Sequence, residues 1–259
     1  MTARLLTIGV SHYCEKARWA LERAGIDFVE EAHAPLFHLV AGRGSRPRFI
    51  DGAVDLGDST AILRHVDGFL DESRKLYPAS LGQAPLAAEE GYDATLGVDV
   101  RRVVYGMFAQ EAHLFGRIGA ALAPPLEARF VSAFPRVVLA PIVRAYKAAG
   151  PLPGPIARIE VAFAEASAVL ETQPFLAGDR FSAADLTFAA LAAPLVFPEG
   201  HPAMPTFADA AGTKIRAFAT PFRESRAGAH VLRMGARLMP LRGSWACRPR
   251  PPSSPTTAR

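Results

Sequence analysis

The alternation of short apolar runs with amphipathic stretches over roughly the first 70 residues constrains this chain more than any other feature. Leu5 to Val10 is a compact apolar run ending in a Gly-containing turn, the pattern of a buried strand. Tyr13 to Ala24 then carries Cys14, Ala17, Leu21 and Ala24 at helical spacing, with Glu15, Lys16, Glu22 and Arg23 between them. Gly25 stands where a helix C-terminus favours it. Ile26 to Ala32 holds a second short strand around Phe28 and Val29, and Pro35 to Val40 reads as a short helix. Arg48-Phe-Ile, Asp51-Gly52 and Ala53-Val-Asp-Leu spell a hairpin, because Asp-Gly tolerates the positive φ of a two-residue turn. Gly57 closes the hairpin and Asp58 opens a further helix.

The order β-α-β-α-β-β-α, with a helical crossover and a terminal hairpin, is that of a thioredoxin-like α/β domain, expected over residues 1–78. Residues 79–88, with Gly82 and Pro85, have the composition of a linker. From Glu89 onward strand alternation disappears, and apolar residues recur at three and four, as in Val100, Val103, Val104, Met107 and Phe108. Residues 89–240 therefore read as an all-α C-terminal domain. Inside it, Ser182 and Asp185 occupy the positions of a capping box that starts a helix at Ala183. Seven prolines between residues 124 and 155 must break or kink helices there. Residues 241–259, rich in Pro, Ser and Thr, are expected to form a disordered tail.

Half of the residues are hydrophobic and 21% are charged, ordinary values for a globular chain. The net charge of +4 is misleading, because without Arg242, Arg248, Arg250 and Arg259 of the tail, basic and acidic residues balance at 25 each. A basic body suited to nucleic acid is not supported. Two cysteines, Cys14 and Cys247, make neither a disulfide framework nor a Cys-rich metal site, and point to a reducing, cytoplasmic setting. The opening residues carry too short an apolar run for a signal peptide. The most apolar stretch, Phe130 to Val143, is broken by Pro135, Arg136 and Pro141 and falls short of the roughly 20 residues that span a bilayer. His12, His33 and His38 are accompanied by no second cysteine or acidic cluster and define no metal site.

Chemistry concentrates at Ser11-His-Tyr-Cys14, the join between the first strand and the first helix. Unpaired N–H groups and the helix dipole there favour negative charge, so a thiolate would be stabilised. Ser11 can donate a hydrogen bond to such a thiolate or simply cap the helix; Cys14 can ionise itself or simply pack. This stretch resembles the Cys-x-x-Cys position of thioredoxin-like proteins with serine in the first place, which leaves no intramolecular dithiol cycle, so a thiol must come from elsewhere.

Four stretches, Ser11-His-Tyr-Cys-Glu-Lys-Ala-Arg-Trp-Ala-Leu, Arg46-Pro47, Gly57-Asp-Ser-Thr-Ala-Ile and Phe175-Leu-Ala-Gly-Asp-Arg-Phe-Ser-Ala-Ala-Asp-Leu, together resemble the glutathione S-transferase superfamily. Their order and spacing match over roughly residues 3 to 200. The resemblance implies glutathione as co-substrate, a small hydrophobic electrophile as its partner, and a homodimer. It implies Ser11 as the group that stabilises the glutathione thiolate, with Cys14 as the second candidate. It also implies a cis-proline at Pro47, with the backbone of Arg46 pairing with the cysteinyl part of glutathione. Asp58 and Ser59 would hold the γ-glutamyl end, Ser59 and the helix N-terminus at the carboxylate and Asp58 at the ammonium. Asp58 alone serves equally well as an N-cap.

Three functions follow from these residues. The first is a glutathione transferase that conjugates the thiol to a hydrophobic electrophile. The second is a non-catalytic binding protein of the same fold, suggested by the short charged segment before Pro47. The third is a glutathione-dependent thiol transferase using Cys14.

Overall fold

A computed structural model describes residues 2–44, 46–201, 203–204 and 213–238. The expected tail and Cys247 lie outside the described residues. The first part forms β1 (Ala3–Ile8), α1 (His12–Ala24), β2 (Phe28–His33), α2 (Pro35–Ala41), β3 (Arg48–Asp51), β4 (Val54–Leu56) and α3 (Ser59–Asp67). The sheet order is β2-β1-β3-β4, with β1 parallel to β2 and antiparallel to β3. This is the thioredoxin-like topology that the element order implies. The hairpin turn is shifted by one residue from the expected dipeptide. Asp51 pairs with Val54, so Gly52 and Ala53 form the loop, and Gly52 takes the positive φ, 56°, required at the first loop position of a type II′ turn.

The second part is helical: α4 (Ala84–Ala94), α5 (Leu96–Gln110), α6 (Ala112–Ile118), α7 (Pro125–Ala133), α8 (Pro135–Ala145), α9 (Pro153–Thr172), α10 (Ala183–Val196), α11 (Lys214–Glu224) and α12 (Arg226–Leu238). Helix α4 begins inside the stretch of linker composition, because Pro85 lies in its first turn, where a missing N–H costs nothing. The same rule explains the proline-rich segment. Pro125, Pro135 and Pro153 each stand at the start of a helix, Pro155 lies in the first turn of α9, and within this segment only Pro141 lies deeper inside a helix. Helix α10 starts at Ala183 as the capping box dictates, with the Ser182 N–H donating to Asp185 Oδ2 at 3.0 Å. Among the described residues no helix is long and apolar enough to cross a membrane.

One apolar core runs through both parts. Leu5, Trp19, Phe49 and Ile62 of the first part are contiguous with Leu96, Val100, Phe188 and Leu191 of the second, and all eight are essentially inaccessible to solvent. A smaller core around Phe115, Val138 and Ala219 gathers α6, α8 and α11. Between the two parts Lys16 is fully buried, its Nζ 2.6 Å from both Glu89 Oε1 and Asp93 Oδ2 and 3.2 Å from Thr60 Oγ1. Tyr77 donates its hydroxyl proton to the other oxygen of Glu89. This cluster ties α1, α3 and α4 together.

Candidate functional site

Strand β1 ends at Ile8, and the chain turns through Gly9 and Val10 to Ser11, the N-cap of α1. The Ser11 N–H donates to the Ile8 carbonyl at 2.9 Å, and Ser11 Oγ lies 3.5 Å from the Cys14 N–H, a long contact that leaves the hydroxyl only weakly engaged. A Cβ at Gly9 would meet the Ala121 carbonyl oxygen at 2.8 Å. Only glycine therefore lets the segment after α6 lie against this turn.

Cys14 faces inward. It is fully buried, and its Sγ accepts the Ile8 N–H at 3.4 Å. Burial pushes its thiol up, against the Ile8 N–H and the Ser11 side chain, which favour the anion. His12 is also buried, with a ring nitrogen 3.0 Å from the Gly97 carbonyl, and burial followed by the charge of Arg101 lowers its pKa to about 3.

The groups expected to hold the peptide part of glutathione are placed as follows. Asp58 is the N-cap of α3; Oδ1 accepts the Thr60 N–H at 2.9 Å, and Oδ2 lies 3.2 Å from the exposed Arg46 guanidinium. Ser59 is buried in the first turn of that helix. The Arg46 carbonyl oxygen lies 2.8 Å from Nε2 of buried His38. Pro47 immediately precedes β3, but the structure contains no cis peptide bond among the described residues, which corrects the expectation for the Arg46–Pro47 bond. The trans form is the intrinsic preference even before proline.

Ser11 and His12 open onto a cavity of about 280 Å³ between the two parts. One wall is a single face of α5: Val100, Arg101, Val104, Tyr105 and Phe108. Phe115, Tyr146 and Phe197 complete an aromatic surround. The Arg101 guanidinium lies 4.1 Å from the centroid of the Tyr146 ring and 5.3 Å from that of Tyr13. Tyr105 stacks on Tyr146 at 5.6 Å, and burial raises its hydroxyl far above the usual range.

Residues 5–72 match the family model described as the N-terminal domain of glutathione S-transferase. Among solved structures, a beta-etherase from Sphingobium sp. strain SYK-6 superposes with a TM-score of 0.53 at 18% identity, over 90% of this chain and 100% of that one. The fold is that of a glutathione S-transferase. Glutathione S-transferases from Sinorhizobium meliloti 1021 and Rhodospirillum rubrum F11 give TM-scores of 0.53 and 0.52 at 17% and 15% identity, over 90% and 89% of this chain and 93% and 92% of theirs. No curated protein matches the sequence.

Within this glutathione S-transferase fold the structure brings Ser11 to the cavity together with Tyr105, whereas His113 on α6 is exposed and does not line it. Trp19 is a core residue, and Tyr13 donates its hydroxyl proton to the Asp93 carbonyl at 2.9 Å. His12, His33 and His38 go to three separate partners, Gly97, Glu127 and Arg46. Sequence reasoning missed Arg101, Arg117 and Tyr146. The signal for Arg101 was present, since it is the one charged residue on the apolar face that Val100, Val104 and Phe108 mark out.

Proposed function

We propose that the protein is a glutathione transferase, with the thiol of glutathione placed at Ser11 and a hydrophobic electrophile in the adjoining cavity. The observation that carries this reading is the Ser11 hydroxyl at the N-terminus of α1, opening on an apolar cavity between the two parts. The glutathione thiol releases its proton to solvent, and Ser11 donates a hydrogen bond to the resulting sulfur anion, which the helix dipole also favours. The thiolate then forms a carbon–sulfur bond with the electrophile as its leaving group departs. The chain's contribution is positioning and electrostatic stabilisation.

Arg46, Pro47, Asp58 and Ser59 would hold the rest of the tripeptide. The Arg46–Asp58 pair is exposed, so exchanging it for a γ-glutamyl ammonium costs little. A cytoplasmic homodimer is the setting this reading implies. Cys14, buried and with its thiol raised, is poorly suited to attack a disulfide.

Conjugation of glutathione to 1-chloro-2,4-dinitrobenzene tests the assignment. Ser11→Ala should lower turnover by about 100-fold, and Cys14→Ala far less; equal activity of Ser11→Ala and wild type would refute the role of Ser11. A second reading, a non-catalytic binding protein, is favoured by the mutual pairing of Asp58 with Arg46 and of the Arg46 carbonyl with His38. Failure to be retained on immobilised glutathione, with no conjugation of several electrophiles, would establish it over the first.

A further inference from the structure

Two arginines, Arg101 and Arg117, line the cavity, and no aspartate or glutamate does so among the described residues. Neither guanidinium meets a carboxylate among the described residues. Arg18 lies between Glu15 and Glu30, and Arg48 meets Asp55; the partly buried Arg23 and Arg102 meet no carboxylate among the described residues either, but each donates its Nε–H to a backbone carbonyl, of Arg74 and Lys147. Arg101 Nε is shielded from solvent and has no hydrogen-bond partner. An unsatisfied buried N–H is costly, and a cation without a counter-charge more so.

Stacking against Tyr146 and Tyr13 offsets part of that cost and fixes the guanidinium, so its donors are already oriented when a ligand arrives. His12, which also lines the cavity, is turned to the Gly97 carbonyl and held neutral, so it supplies no negative charge. Val104, Phe108 and Phe115 make the remaining wall apolar.

We infer that the cavity accepts an apolar molecule bearing a carboxylate, the carboxylate pairing with Arg101 and the apolar body lying against α5 and α6. The inference deepens the transferase reading by naming the class of acceptor, and it rests on the assignment of this cavity to that acceptor. The competing source of the same chemistry is a carboxylate of glutathione itself.

Titration calorimetry of the full chain near neutral pH, without glutathione, with 4-phenylbutanoate and with its uncharged amide, separates these. The acid should bind about tenfold more tightly than the amide or better. Arg101→Gln should erase the preference while leaving the amide's affinity close to wild type, which also shows that the variant is folded. Arg101→Lys should keep part of the preference. Absence of acid binding at millimolar concentration, equal binding of acid and amide by wild type, or a preference that survives Arg101→Gln would each overturn the proposal. So would full displacement of the acid by glutathione together with loss of glutathione binding in Arg101→Gln. Because retention on immobilised glutathione is measured separately, failure of the acceptor class is distinguishable from failure of the transferase reading.

Discussion

His38 Nε2 lies 2.8 Å from the carbonyl oxygen of Arg46, so a buried ring on α2 fixes the backbone that leads into Pro47 and β3. The ring itself is held by Gly42, whose Cβ, if present, would fall 2.6 Å from that same nitrogen. Gly42 has an ordinary right-handed backbone, so the requirement for glycine is one of space alone.

Gly42→Ala should therefore displace His38 and lower stability by about 1–3 kcal/mol, the usual cost of overpacking. Urea denaturation measures it, and an unchanged midpoint would show that His38 moves aside freely.

His12 gives the protein a specific acid sensitivity. Burial holds the ring neutral and lowers its pKa to about 3, so the folded chain binds this proton more weakly than the unfolded chain. As pH falls below about 6.5 the unfolded state gains protons first, and stability present at neutral pH is lost, by about 3 kcal/mol near pH 4. Denaturation across that range should be steeper in wild type than in His12→Gln. Parallel curves would mean that the ring is protonated in the fold.

Lys16 neutralises Glu89 and Asp93 where water does not reach the ammonium. Lys16→Met would leave two carboxylates close together without a cation, and should destabilise the fold by about 3–5 kcal/mol. Thermal unfolding tests this. Lys16→Met/Glu89→Gln should recover part of the loss, since one buried charge is then removed.

Glu127 on α7 lies 2.8 Å from His33 Nδ1 and accepts the Ala34 N–H at 2.8 Å, pinning the second part to the start of α2. Glu127→Gln loses one of these acceptors and should cost about 1–2 kcal/mol locally. Faster amide exchange is expected at Ala34 and in the first turn of α2, with the β1 amides unaffected; uniform acceleration would indicate global destabilisation instead.

What the sequence made legible was local. Gly52 and the Ser182–Asp185 box each solve a backbone problem within a few residues, and the residues that solve it are visible in order. Pro85 illustrates an ambiguity: the same residue marks a loop or a first helical turn, and only packing decides. The inward turn of Cys14 depends on the Ile8 N–H across the join, and the cavity on α5 meeting Tyr146 and Phe197, partners far apart along the chain. Ser11 and Asp58 are legible as helix starts, but the pairing of Asp58 with Arg46 requires the segment ahead of β3 to be brought to the start of α3.

The contiguity of Trp19 and Ile62 with Val100 and Leu191 bears on how the molecule is made. Severed near Pro78, neither piece keeps the partner that shields its oily face, so each would emerge from the ribosome sticky and short of a complete interior. The sheet-bearing half must wait for the helices before it is safe from aggregation, and a library built by shuffling halves between relatives should yield soluble chimeras only where both sides of that shared interior are exchanged together.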